Sequence, residues 1–113
     1  MKMFYINGRA WHIQYVKPYS PELVDRNGLL TVATTDPINH VVYISEGLSK
    51  EYETTILIHE LGHCFIFSYG LIDDICLYVK PEYWAEAEEW LCNYIAVYGR
   101  LIFDSAYDIL DKD

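Results

Sequence analysis

Basic residues are scarce in this chain: eight Lys and Arg stand against seventeen Asp and Glu, a formal net charge of −9 over 113 residues. That shortage removes the electrostatic footprint of a nucleic-acid binder, which must neutralise phosphates with cations, and it argues against an anionic membrane surface. Long apolar runs are missing too. None approaches the roughly 20 residues that span a bilayer, and Met1 to Val16 is interrupted by Asn7, Gly8, Arg9, His12 and Gln14, as a signal peptide is not. Only three cysteines occur, Cys64, Cys76 and Cys92, with no Cys-x-x-Cys pair among them. An odd, scattered set fits buried free thiols in a reducing compartment better than a disulfide framework. The expectation is a soluble cytoplasmic protein, with no nucleic acid and no membrane among its partners.

What is present is hydrophobic residues, at 52% of the chain. In 113 residues that is enough for one core and not for two, so a single domain over 1–113 is expected. Phe4-Tyr5-Ile6 and Ala10 to Val16 flank Asn7-Gly8, a dipeptide suited to a tight hairpin turn, and Trp11, Ile13 and Tyr15 alternate with His12 and Gln14. Leu29 to Thr35 and Val41 to Ser45, rich in β-branched residues, read as a second hairpin closed by Asp36-Pro37-Ile38-Asn39-His40. Between the hairpins lies a punctuated segment with room for one helical turn at Glu22-Leu23-Val24. Ser49 caps a helix that should run to Gly70, with Glu51 and Glu53 in its first turn. A loop of roughly ten residues around Asp73-Asp74 follows. Pro81 then starts a helix to about Tyr98, which Gly99 ends or bends, and Arg100 to Leu110 forms a short amphipathic tail helix through Leu101, Ile102, Ala106, Ile109 and Leu110. The expected class is α+β, with an antiparallel sheet of two N-terminal hairpins packed on the first helix, a second antiparallel helix and a short C-terminal one.

The first helix contains His59-Glu60-Leu61-Gly62-His63. Positions four apart lie on one face a turn away from each other, so both imidazoles can aim at a common point, with Glu60 beside that face. Two histidine ligands and a glutamate base at this spacing are the arrangement by which zinc proteases activate water. The neighbours Ile56-Leu57-Ile58 and Cys64-Phe65-Ile66-Phe67 are apolar all round, so three ionisable groups are carried inside and must find partners; one Zn2+ satisfies them together. A catalytic zinc needs a third protein ligand, and a carboxylate on the following helix is the usual companion of two histidines. Glu86, Glu89 and Asn93 fall on one stripe of that helix, while Glu82 and Glu88 read as a solvated face. Spacing does not separate Glu86 from Glu89, and Cys92 is a rival thiolate ligand.

These residues resemble those of the small zincin metallopeptidases, most closely the ImmA/IrrE-type family of bacteria, phages and mobile elements. Val42-Tyr43-Ile44, Leu48-Ser49 and Thr55 to His63 are similar to that family's strand, loop and active-site helix. Glu89-x-x-Cys92-Asn93-Tyr94-Ile95-Ala96 resembles its Glu-x-x-Ala-Asn-x-Phe-Ala signature, with Cys92 in place of the small alanine. The likeness covers about Leu29 to Ala96, and the family's Leu-Leu-x-Pro and any regulator-binding domain are absent from this sequence. The resemblance implies a minimal zincin-like domain, Glu89 as third ligand, Glu60 as catalytic base and hydrolysis of peptide bonds in a polypeptide substrate. Asn93, one turn from Glu89, is expected to orient a ligand from behind, with Glu86 the lesser candidate for that place. An oxyanion donor is left open among Tyr83, Tyr94, Tyr98, His12 and His40. The competing expectation is a non-catalytic zinc-stabilised domain, of the kind a phage inhibitor or structural protein could be. Its acidic, tyrosine-rich surface would bind a partner protein, and the eleven tyrosines suit an interface.

Overall fold

The computed structural model describes residues 2–112, and the α+β class is as expected. Strands β1 (Lys2–Ile6) and β2 (Arg9–Val16) form the first hairpin, and β3 (Ala33–Asp36) and β4 (Val41–Ser45) the second. At the first turn Asn7 and Gly8 both take positive φ, 51° and 74°, the pair of conformations that a two-residue primed turn demands. At the second, Asp36 Oδ1 accepts from the backbone N–H of Ile38 and Asn39, at 3.0 and 3.1 Å.

The sheet order is β1-β2-β4-β3, and β2 and β4 run parallel, from His12 opposite Val41 to Val16 opposite Ser45. Both hairpins are present, but the join between them makes the sheet mixed where a wholly antiparallel one was expected. The parallel join leaves β3 as an edge strand next to the first helix. Alternating residues of one sheet face, Trp11, Ile13, Val42 and Ile44, are buried with Ile6 and Cys64, and Phe4, Ala33, Leu48 and Leu57 pack around them.

Helix α1 (Lys50–Ser68) starts at Ser49, whose side chain accepts from Tyr52 N–H. It ends at Gly70 (φ 68°), where Leu71 N–H bonds Ile66 O at 2.8 Å and Gly70 N–H bonds Phe67 O at 3.2 Å, a Schellman closure. The first hairpin clamps that end: Trp11 Nε1–H donates to Ser68 Oγ and Asn7 Nδ2–H to Ser68 O, each at 2.9 Å.

Two expectations are corrected here. The segment read as a loop after Gly70 is helix α2 (Ile72–Tyr78), with Asp73 and Asp74 as acidic residues of its first turn rather than loop markers. The strand read from Leu29 begins only at Ala33. Leu30 instead bridges Val24, and Asp25 Oδ1 accepts from the N–H groups of Asn27 and Leu29, so residues 24–30 close into a tight loop. A 3-10 turn, Pro21–Leu23, precedes that loop, and another, Pro81–Tyr83, leads into α3 (Trp84–Tyr94). The chain then stays helical through a π turn, Ile95–Gly99, into α4 (Arg100–Leu110), so Gly99 neither ends nor caps the helix. Among the described residues no single helix is long and apolar enough to cross a membrane.

Candidate metal centre

Helix α1 serves three neighbours at once, because residues 3.6 to the turn divide its circumference. Leu57 and Cys64 face the sheet, Gly62 faces α3, and His59, Glu60 and His63 face the space between α1, β3 and α3. Gly62 sets the approach of the two helices. A Cβ at that position would stand 3.1 Å from Cys92 Sγ and 3.5 Å from Cys92 Cα, so any other residue would press Cys92 back by a few tenths of an ångström.

The closeness brings Glu89 onto the histidines. His59 Nε2 and His63 Nε2 lie 3.3 Å apart, Glu89 Oε2 is 3.2 Å from the first and Glu89 Oε1 3.2 Å from the second. Four ligands at zinc-nitrogen and zinc-oxygen bond lengths around a tetrahedral ion stand about 3.3 Å from one another. The donor set therefore fits a zinc ion in both chemistry and spacing. The candidate metal-holding groups, His59, Glu60 and His63 on one side and His63, Glu88 and Glu89 on the other, meet at His63.

Of the contested third ligands, Glu89 is the one brought to the imidazoles. Glu86 and Asn93 line the same cleft but are exposed, and neither hydrogen-bonds a histidine or Glu89. The orienting place expected for Asn93 belongs to Glu88, which was read as solvated: its Oε2 lies 2.5 Å from His63 Nδ1, with the side chain only 15% exposed. A carboxylate on Nδ1 fixes the ring and its tautomer so that Nε2 is the free donor atom. Cys92 is fully buried against Gly62.

Glu60 is 6% exposed and tied to the edge strand, accepting from Thr35 Oγ1–H at 2.8 Å, with Oε2 3.6 Å from His59 Nε2. Burial pushes its pKa up, and the Thr35 hydrogen bond and the two imidazoles pull against that rise. Glu89 is held well below the usual carboxylate range by hydrogen bonds from His59 and then His63. For His63 burial opposes the charge, but hydrogen bonding to Cys92, Glu88 and Glu89 outweighs it and raises the imidazole above its ordinary value. Cys64, pushed up to about 12 mainly by burial, is an inert thiol.

The cleft around these groups has a volume near 1160 Å³ and is walled by β3, the 24–30 loop, α1 and α3. None of Tyr83, Tyr94, Tyr98, His12 and His40 lines it, so the expected oxyanion donors are not at the site. Arg26 is there instead. The Asp25 loop carries its guanidinium to 3.6 Å from Glu89 Oε1 and 3.9 Å from Glu88 Oε2, and Tyr43 of β4 also borders the cleft. Sequence reasoning missed Arg26 and Glu88. A side chain on a loop gives no periodic signal, whereas Glu88 sits beside Glu89 and needed only the question of which carboxylate meets the outer nitrogen of a ligand histidine. Comparison of the chain with family models, curated proteins and solved structures finds no match.

Proposed function

We propose that this chain is a zinc-dependent metallopeptidase that hydrolyses peptide bonds of a polypeptide substrate. The observation that carries the proposal is the convergence of His59 Nε2 and His63 Nε2, 3.3 Å apart, with the Glu89 carboxylate, which sets Oε2 3.2 Å from the first and Oε1 3.2 Å from the second, while Glu60 Oε2 stands 3.6 Å from His59 Nε2. His59, His63 and Glu89 would hold the ion. Bound there, zinc supplies Lewis acidity, making a water nucleophilic at neutral pH and polarising a carbonyl.

The chain's own residues do the rest. Glu60 takes the proton of the attacking water and returns it to the leaving amine; a carboxyl whose pKa is raised by burial is suited to both transfers. Thr35 fixes Glu60 through Oε1, which leaves Oε2 free to handle the proton. Glu88 aligns His63. The edge strand β3, adjacent to α1, offers unpaired backbone groups to an extended substrate, which would add as a further strand.

A closed structural site would need a fourth protein ligand. Glu88 is engaged at His63 Nδ1 and Glu60 Oε2 stands 3.6 Å from His59 Nε2, so hydrolysis and a purely structural metal part on whether that oxygen acts as proton acceptor or as fourth ligand. The deciding experiment is Glu60→Gln. This variant should retain about one zinc per chain while cleavage of a protein substrate falls by roughly 10²–10⁴. Full activity in that variant would end the hydrolytic reading; absence of metal from tag-free purified protein would end the zinc reading.

A further inference from the structure

Peptide hydrolysis at this centre puts negative charge where the protein is already negative. As the oxygen of water bonds the carbonyl carbon, the C=O π pair moves onto the carbonyl oxygen. The cleft that receives it is lined by seven Asp and Glu side chains and, among the described residues, by a single Lys or Arg. Charge developing there is opposed by its surroundings unless a donor faces it.

The hydroxyl groups of the lining are committed elsewhere. Thr31 donates to Leu23 O, Thr34 to Glu22 O, Thr35 to Glu60 and Thr55 to Glu51 O. Tyr43 lies opposite Thr34 in the register of β3 with β4, while their neighbours Thr35 and Val42 are the ones that face α1. Thr34 and Tyr43 therefore point to the other side of the sheet. Asn27 and Asn93 are exposed, and neither side chain hydrogen-bonds a histidine or Glu89.

Arg26 remains, and it is held in place. Asp25 Oδ1 accepts from the N–H groups of Asn27 and Leu29, each at 2.9 Å, and Gly28 N–H bonds Asp25 O at 3.0 Å with a φ of 78°. Leu23, only 1% exposed, anchors the chain just before this loop. The loop carries Arg26 Nη2 to 3.6 Å from Glu89 Oε1 and 3.9 Å from Glu88 Oε2. Both contacts are made by one nitrogen and are longer than hydrogen bonds, and the side chain is 53% exposed, so the guanidinium has N–H groups left for a ligand.

On the peptidase reading of this centre, we propose that Arg26 is a catalytic residue, the donor that binds the carbonyl oxygen of the scissile bond and stabilises the charge it gains when water adds. When the C–N bond breaks, the pair on oxygen re-forms the carbonyl and Glu60 hands the proton taken from water to the leaving amine. The guanidinium keeps all of its protons throughout. A charged donor makes a hydrogen bond roughly twice as strong as a neutral one, and its cation offsets the carboxylates of the cleft as neither asparagine can.

Inorganic phosphate, a tetrahedral oxyanion, probes this donor without turnover when titrated calorimetrically into the zinc-loaded full chain. Arg26→Gln should weaken phosphate binding by roughly 10- to 100-fold, with zinc still at about one per chain and the circular dichroism unchanged. Arg26→Lys keeps the charge and should recover most of that affinity. With a protein substrate, Arg26→Gln should lower kcat by roughly 10²–10³ and leave KM nearly as it was, as loss of an interaction made only in the transition state does. Phosphate affinity or kcat indifferent to Arg26→Gln overturns the proposal. So does loss of zinc from that variant, which would make Arg26 a positioning residue acting through Glu89. A natural chain that holds no zinc ends the metal reading and this inference with it, whereas cleavage that depends on zinc and Glu60 but not on Arg26 ends this inference alone.

Discussion

Glu88 shows how much a single carboxylate can decide at this centre. It touches no proposed open position, yet it holds His63 Nδ1 and lies within reach of Arg26, so its loss should loosen the ring that must present Nε2. Glu88→Gln is expected to lower zinc affinity by roughly 10- to 100-fold in competition with a chromophoric chelator, while Glu86→Gln and Asn93→Ala change it little. Glu60 acts in another way. Its raised pKa means that the folded protein disfavours the ionised form, so the stability attached to this group is complete below the ordinary glutamate value and is lost as pH rises through the folded one. In metal-free protein Glu60→Gln should therefore raise the thermal midpoint near neutral pH, with the gain over the natural chain shrinking towards about pH 4, where the carboxyl is protonated in both states. An unchanged or lowered midpoint at neutral pH would mean that the carboxylate is better solvated or paired than its 6% exposure implies. His59, Glu60 and His63 were legible in the sequence because helical spacing is a local property. Glu89 was legible only through resemblance, since its distance from His63 along the chain says nothing of how two helices dock.

At the scale of elements, the docking of α1 on α3 turns on Gly62. An interior helical glycine ordinarily costs about 1 kcal/mol relative to alanine, and here that cost is offset by the approach it permits. Gly62→Ala would regain that propensity but place a methyl group 3.1 Å from Cys92 Sγ and 3.4 Å from its Cβ. Overpacking of this order costs about 1–3 kcal/mol, and the relief available is for α3 to move outward and carry Glu89 from the imidazoles. The variant should be no more stable than the parent in chelator melts and should bind zinc measurably more weakly; tight zinc binding with raised stability would show that the helices do not need this contact. The same long-range dependence explains which elements could be read. The hairpins at Asn7-Gly8 and at Asp36 to His40, and the limits of α1 at Ser49 and Gly70, are written in turn and cap residues. The parallel pairing of β2 with β4 joins residues 29 apart in sequence, His12 with Val41 to Val16 with Ser45, and has no local signature. Asp73 and Asp74 suit a loop and the first turn of a helix equally well, and the docking of α2 against α3 decided between them.

For the molecule as a whole, the proposed metal centre and the hydrophobic core are separate. Ile6, Trp11, Ile13, Val42, Ile44 and Cys64 gather between the sheet and one side of α1, whereas His59, His63 and Glu89 meet on another side, in a cleft open to solvent. A fold that depended on its ion would place the ligands where the core should be, as the smallest zinc domains do, and would unfold under chelation. Here the packing of the sheet on α1 and the Trp11 to Ser68 clamp are made by residues other than the proposed ligands, so the metal-free chain should remain folded. Chelation is expected to leave most of the far-ultraviolet circular dichroism in place while lowering the thermal midpoint. Zinc at about a thousand times its dissociation constant should restore roughly 4 kcal/mol. His59→Ala removes a ligand without opening the core, so it should melt close to the metal-free parent and show almost no response to added zinc. If that variant is unfolded at room temperature, the ion is a structural staple, and the separation of core from centre argued from these contacts is mistaken.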